Sequence, residues 1–81
     1  MNMYEAKAAA QKYIDENIEP PQDDQYKIID AAIKEIDSGW LFPYQTLKFI
    51  LTKDLNFSVL GNWPIFVSKD GIVHGPMRPD I

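Results

Sequence analysis

The stretch of residues 61–75 constrains this chain most, because it has the pattern of a β-hairpin. Two apolar runs, residues 64–68 and 72–75, flank Lys69-Asp70-Gly71. Asp-Gly between β-branched and aromatic residues is the strongest short-range hairpin signal, because both residues take the positive φ angles of a tight turn at little cost. Pro64 has no N–H for a strand ladder, so it fits the first position of a strand. Since an isolated hairpin is marginal in water, we expect other segments to cover one of its faces.

Residues 2–19 have the pattern of an amphipathic helix. Apolar side chains recur along one face at four-residue spacing: Ala6, Ala10, Ile14 and Ile18. Asn2 is a suitable N-cap, and Glu5 stands three residues later, as a capping box requires. Pro20-Pro21 ends the helix, because proline disfavours helical angles at the residue before it. We expect the alanines of this face to allow close approach to a sheet.

The segment of residues 26–37 permits two interpretations. Its isoleucines recur at helical spacing, and its Ala, Lys and Glu content favours a helix. The tight Ser38-Gly39 turn before Trp40 favours a strand, because hairpin loops commonly contain two to five residues. We predict a strand over residues 28–37. We expect it to pair through that turn with a second strand, which begins at Trp40 and extends to about Leu51.

Side chains alternate in Trp40-Leu41-Phe42-Pro43-Tyr44, and the three aromatic residues share one face of the strand. Such a row can form a binding platform, but burial tendencies favour a core face beneath the helix. Pro43 indicates an edge strand or a bulge. Thr52-Lys53-Asp54 predicts a turn. The apolar residues that follow it are expected to cover an edge of the core: Leu55, Phe57, Val59 and Leu60.

Together these segments predict an α+β fold, with one N-terminal helix packed on a mainly antiparallel four-stranded sheet. With 81 residues, the chain is expected to form a single domain, residues 1–81, near the lower size limit for independent stability. The first residues lack the layout of a signal peptide, and no apolar run reaches the length of a membrane span. We therefore expect a cytoplasmic protein that does not enter the membrane.

The charge of the chain limits its partners. The net charge is −4, and the eight basic residues are scattered along the sequence. Nucleic-acid binding needs clustered Lys and Arg, so no nucleic-acid partner is expected. An acidic surface suits a basic protein partner, because opposite charges accelerate association.

The sequence offers little support for catalysis. The chain has one histidine, His74, and no cysteine, which leaves too few of the ligands that structural zinc requires. Ser58, Asp70 and His74 form a nominal triad, but no nucleophile elbow or glycine-rich oxyanion loop accompanies them. We therefore predict a protein without enzymatic activity, cofactor or metal.

Four short motifs stand in an order and spacing that resembles a known family: Gly39-Trp40-Leu41-Phe42, Thr52-Lys53-Asp54, Leu60-Gly61-Asn62-Trp63-Pro64-Ile65-Phe66-Val67 and Asp70-Gly71-Ile72. The chain is similar to the YrhB-like bacterial family, also called immunity protein 35, from the N-terminal helix to about Gly75. It departs from the family at Lys53, where Gly is common in the turn, and at Leu60, where Ala often precedes Gly-Asn.

The resemblance implies an α+β domain that binds and neutralises a toxin of a bacterial polymorphic-toxin system. The alternative is a small accessory domain that binds a peptide or ligand in a cleft between helix and sheet. We predict that Trp63 is either an interface anchor or a lid on the end of the core. The candidate partner-binding residues, none of them carried over from the family, are Trp63, Asp54, Asn56, Asp23 and Asp24.

Overall fold

A computed structural model describes residues 1–78 as an α+β fold with two helices and two antiparallel sheets. The helices are α1 (Met3–Asn17) and α2 (Leu47–Thr52). The strands are β1 (Tyr26–Ile28), β2 (Lys34–Ile36), β3 (Gly39–Phe42), β4 (Tyr44–Thr46), β5 (Ile65–Ser68) and β6 (Val73–Pro76). Strands β1 and β4 form a two-stranded sheet, and the others form a four-stranded sheet in the order β2-β3-β5-β6. The predicted fold class is confirmed.

Helix α1 begins with the predicted capping box. The Asn2 side chain accepts the backbone N–H of Glu5 at 2.8 Å, and the Glu5 carboxylate accepts the backbone N–H of Asn2 at 3.1 Å. The helix ends at Asn17, because Ile18 already has extended angles ahead of Pro20-Pro21. Its fully buried face consists of Ala6, Ala10 and Ile14. The prediction for residues 2–19 is thus confirmed, apart from its ends.

The prediction of one continuous strand over residues 28–37 is wrong. Ile28 pairs with Tyr44, and Lys34 pairs with Leu41. The first strand segment thus covers six residues where its partner covers only three. The three extra residues form a 3-10 turn, Asp30–Ala32, that divides β1 from β2. Pro43 stands opposite this turn, where it cannot donate a ladder hydrogen bond, and its carbonyl accepts the N–H of Ile29 at 2.9 Å. A tight hairpin turn is present, but one residue earlier than predicted: because Ile36 pairs with Gly39, its two loop residues are Asp37 and Ser38, and Gly39 already belongs to β3.

The predicted extension of the second strand to about Leu51 is also wrong, because the chain turns into α2 after Thr46. The Thr46 hydroxyl accepts the backbone N–H of Phe49 at 3.1 Å, so threonine acts as the N-cap. Lys53 ends the helix in the left-handed region, with φ of 59°. The alternation of Leu47, Phe49 and Leu51 is therefore part of one short helix.

Residues 55–60 do not cover the core as expected. Leu55 and Leu60 are 77% and 89% exposed, and in this group Val59 alone packs against the core cluster. Polar bonds hold the segment instead. The Gln45 side chain accepts the N–H of Val59 at 3.0 Å and donates to its carbonyl, while the Thr46 hydroxyl donates to the Phe57 carbonyl at 2.6 Å. The backbone is thus fixed while the leucines face outward.

The core lies between α1 and the inner faces of both sheets. Trp40 is 4% exposed and Phe42 is fully buried, which confirms that the aromatic row is a core face. Gln11 of α1 also binds the free edge of β1, because its amide donates to the Tyr26 carbonyl at 2.9 Å and accepts the Ile28 N–H at 3.2 Å. The core cluster contains Ala6, Ala10, Ile14, Tyr26, Ile28, Trp40, Phe42, Tyr44, Ile65 and Val67.

We expect Trp40→Ala to lower the free energy of unfolding by about 3–5 kcal/mol, because it opens a large cavity beneath α1. Urea denaturation of the variant measures the loss. Trp63→Ala is the matched control: its side chain is 46% exposed, so its loss should stay below about 1 kcal/mol. Equal losses at the two positions would contradict the core assignment of Trp40.

We expect the protein to lose stability at alkaline pH through two buried tyrosines. Burial raises the pKa of Tyr26 and of Tyr44 above the ordinary value of 10.0. The neutral phenols therefore stabilise the fold fully below pH 10, and this stability declines as the pH rises toward the raised pKa. Urea midpoints between pH 8 and pH 11 should fall less steeply in the Tyr26→Phe/Tyr44→Phe variant than in the parent. If the urea midpoints of the parent and the variant fall equally steeply with pH, the two tyrosines do not cause the loss of stability.

Candidate functional site

Trp63 lies on the surface, between the Gly61 turn and Pro64. Gly61 has a φ of 82°, which glycine adopts without strain. The indole is 46% exposed and lies outside the core cluster, so it is not a closed lid on the core. The Arg78 guanidinium lies 5.7 Å from the centre of its ring, in a cation–π arrangement. Trp63 therefore presents a partly open aromatic face beside a cation.

Asp23 and Asp24 occupy the loop between α1 and β1. One carboxylate oxygen of Asp24 accepts the N–H of Gln25 at 2.8 Å and that of Lys48 at 3.3 Å. Asp24 thereby fastens the loop to the start of α2. Asp23 is exposed and has a φ of 60°. Both residues border a shallow depression of about 390 Å³ whose apolar wall is formed by Leu47 and Leu51.

Asp54 precedes the second 3-10 turn, Leu55–Phe57, and Asn56 lies within it. The Asp54 carboxylate accepts the backbone N–H of Asn56 at 2.9 Å, so Asp54 caps this turn. Lys48 of α2 links this turn to the aspartate loop, since its ammonium lies 5.7 Å from the centre of the Phe57 ring. The Asp23–Asp24 pair and the Asp54–Asn56 pair therefore lie on segments that both contact α2.

The sequence reasoning missed a set of exposed leucines. Among residues 1–78, nine large apolar side chains are exposed, and five of them fall within residues 51–63. We name these five the 51–63 surface: Leu51, Leu55, Phe57, Leu60 and Trp63. Their fractional exposure ranges from 40% at Phe57 to 89% at Leu60. The available sequence signal was the loss of any regular apolar period after Leu51, in a stretch that still contains many apolar residues.

A cleft of about 460 Å³ lies between α1 and β2, with Trp40 at its base. Its charged groups pair with residues of the chain itself. The Lys7 ammonium lies 2.5 Å from the Asp30 carboxylate, and Lys69 pairs with Glu35 while lying 4.7 Å from the centre of the Trp40 ring. Polar recognition of a small molecule in this cleft would have to break these pairs.

The nominal triad is not assembled. The Ser58 hydroxyl donates to the Leu55 carbonyl at 2.8 Å, within its own turn. A hydrogen bond from the Ser68 hydroxyl lowers the pKa of Asp70, and the ring of the exposed His74 lies 5.3 Å from the Phe66 ring, tilted by 40°. Residues 1–78 contain no group of three His, Asp or Glu side chains placed to hold a metal ion. In the same described stretch, neither helix has the length and apolar character needed to cross a bilayer.

Comparison with protein-family models gives a match to immunity protein 35 over residues 4–76. The chain belongs to this family. The match runs from the first turn of α1 to the end of β6. No curated protein and no solved structure matches the chain. Membership of the immunity protein 35 family supports a general immunity role, which implies a protein partner and favours a non-catalytic role.

The motif residues through which the chain resembles the immunity protein 35 family contribute to strand packing, to the core and to a turn. A Cβ atom at Gly39 would lie 2.1 Å from the Val67 carbonyl oxygen, so a side chain there would force β3 away from β5. Trp40 is part of the core. Lys53 stands where the family often has Gly, and its φ of 59° lies in the region that favours glycine.

We expect Lys53→Gly to raise the free energy of unfolding by about 0.5–1 kcal/mol. The left-handed conformation costs a side-chain-bearing residue about 1–2 kcal/mol, which exceeds the additional chain entropy that glycine loses on folding. The matched control is Lys48→Gly within α2, which should lower stability by about 1 kcal/mol. Urea midpoints of both variants provide the test, and a lower midpoint for Lys53→Gly would count against it.

Proposed function

We propose that this chain is an immunity protein that neutralises a cognate bacterial toxin by stoichiometric binding, without turnover, in the cytoplasm of the cell that produces it. The observation that carries the proposal is the 51–63 surface, taken together with family membership. Exposed apolar groups concentrated in one segment are typical of a protein-binding site. Such inhibition requires only a complementary surface, so it makes no demand for a catalytic constellation.

The backbone beneath this surface is held in place, which reduces the entropy lost on binding. Gln45 and Thr46 bind the backbone of Phe57 and Val59, and Asp54 caps the turn between Leu55 and Phe57. These bonds connect the segment to β4, whose residue Tyr44 belongs to the core. Leu55 and Leu60 therefore project from an anchored backbone, and each can bury its side chain in a partner.

Trp63 is the proposed central anchor of the interface. Tryptophan is enriched among residues that dominate binding energy, because it removes a large area from water at low entropic cost. Its side chain is 46% exposed, which leaves room for a partner to bury it further. Its ring also keeps contact with Arg78, so the indole is already oriented.

The aspartates favour a partner with a basic surface. Asp23 and Asp24 lie on one side of α2, and Asp54 lies in the turn that follows it. With a net charge of −4, the chain attracts a basic partner over distances up to the Debye length. We propose that these three carboxylates accelerate association, while the apolar contacts determine the rate of dissociation.

The test is titration against the toxin domain encoded next to this chain, by calorimetry and by rescue of bacterial growth. Leu60→Ser and Trp63→Ala should each raise the Kd at least about tenfold, corresponding to about 1.4 kcal/mol. Tyr4→Ser is the matched control, because Tyr4 is an exposed apolar residue, 77% accessible, outside the 51–63 surface. Its Kd should equal that of the parent.

Charge variants test the electrostatic part separately. Asp24→Asn and Asp54→Asn retain the oxygen that accepts the backbone N–H groups, so they remove charge while preserving the loop and turn. Together they should slow association severalfold at low salt and leave it unchanged at high salt. Unchanged rates and affinities for every variant would refute these sites. If the parent fails to bind the neighbouring toxin, the proposed function itself is refuted.

A further inference from the structure

An apolar groove of about 350 Å³ crosses the outer face of the four-stranded sheet. Trp40, Phe42, Ile65 and Val67 point toward α1, so Leu41 between them points to the opposite face. Leu41, Pro43, Pro64 and Met77 line the groove. Met77 is 38% exposed, and its backbone N–H donates to the Pro64 carbonyl at 2.9 Å, which holds the end of β6 beside the start of β5. A ligand in this groove would therefore rest on prolines and aliphatic side chains.

The charged groups of the groove are both cations. Lys34 and Arg78 line it, and no Asp or Glu lies among the described residues of its wall. Within residues 1–78, neither cation has a carboxylate within 4.0 Å. This local charge is opposite to the net charge of −4 for the chain. The groove is therefore complementary to an apolar group flanked by negative charge.

The separation of the two cations indicates the shape of the occupant. Lys34 lies on β2 and Arg78 follows β6, and these strands form opposite edges of the sheet. Three strand spacings place the two edges about 14 Å apart. A segment with two separated negative charges can contact both cations where their side chains extend from these two edges. An extended peptide rises about 3.3 Å per residue, so acidic residues four positions apart span about 13 Å and place the residue midway between them on the same side.

The groove continues the 51–63 surface. Arg78 lines the groove and also lies 5.7 Å from the centre of the Trp63 ring, and Pro64 directly follows Trp63. A partner that covers Trp63 therefore reaches Arg78 as well. Resting on the function proposed above, we propose that the groove binds an extended segment of the toxin in which two acidic residues flank an apolar one. The partner then faces carboxylates near α2 and cations in the groove, which orients it on the surface.

The chemistry of the groove can be tested without the toxin. A fluorescein-labelled Glu-Ser-Leu-Ser-Glu peptide should bind about tenfold more tightly than its Gln-Ser-Leu-Ser-Gln counterpart in anisotropy titrations at low salt, since each exposed ion pair contributes about two- to fivefold. Binding should also change Trp63 fluorescence. Lys34→Glu/Arg78→Glu should abolish the preference. Lys12→Glu/Lys27→Glu, with the same change in charge, should retain it.

Equal affinity for the two peptides, or an unchanged preference in Lys34→Glu/Arg78→Glu, would overturn the proposal. Displacement of the acidic peptide by decanoate at equal concentration would assign the groove to small amphiphilic anions instead. Concentration-dependent dimerisation that Lys34→Glu/Arg78→Glu abolishes would assign it to a second copy of the chain.

The toxin titration separates this inference from the proposed function. Lys34→Glu/Arg78→Glu should raise the Kd for the toxin about tenfold, whereas Lys12→Glu/Lys27→Glu should not. If the groove variant binds the toxin normally while Leu60→Ser does not, the proposed function stands and the groove has no part in it. A parent protein that binds the acidic peptide but no toxin would refute the toxin as the source of the segment.

Discussion

The structure depends on the close packing of α1 against the inner faces of the two sheets. Ala6 and Ala10 are fully buried, and their small side chains let the helix backbone approach the aromatic row that begins at Trp40. The Tyr13 side chain of α1 also packs against β6, where a Cβ atom at Gly75 would lie 2.7 Å from the Tyr13 hydroxyl. Because the helix contacts β1, β3, β5 and β6, the same small side chains order both sheets.

The second half of the fold relies on a different kind of interaction. Around α2, side chains bind backbone groups of segments distant in sequence: Asp24 to Lys48, Gln45 to Val59 and Thr46 to Phe57. Such bonds satisfy the polar backbone of an irregular segment without burying apolar side chains. As a result, the leucines of residues 51–60 face outward at no cost to the core. The division between an apolar core and a polar scaffold produces the surface on which the proposed function rests.

The distribution of charge over this surface favours one orientation of a bound partner. Asp23, Asp24 and Asp54 lie close to α2, and Lys34 and Arg78 line the groove on the outer face of the sheet. Exposed Leu60 and Trp63 lie within the same continuous stretch of chain. Apolar area alone gives affinity with little orientation, whereas opposite charges at two ends disfavour reversed or displaced docking. This arrangement suits the binding function proposed above, because it limits the orientations in which a partner can dock.

The sequence by itself determined the capped helix, the presence of two hairpins and the buried aromatic row, because each depends on interactions between residues near in sequence or on a strict apolar period. It did not determine the turn geometry: Gly71 has a positive φ but Asp70 does not, and the other turn lies at Asp37 and Ser38. Only the tertiary structure decided the division of residues 28–37 into two strands. The extra residues of the Asp30–Ala32 turn lie opposite Pro43 on the facing strand, so their position depends on a residue distant in sequence. The helix that contains Leu47, Phe49 and Leu51 begins at the local Thr46 cap, and tertiary bonds of Thr46 to Phe57 and of Asp24 to Lys48 hold it in place. The apolar residues of segment 55–60 predicted a cover over the core. Long-range hydrogen bonds to Gln45 and Thr46 instead hold the segment with its leucines facing outward. These bonding partners are distant in sequence, so no local pattern predicts them.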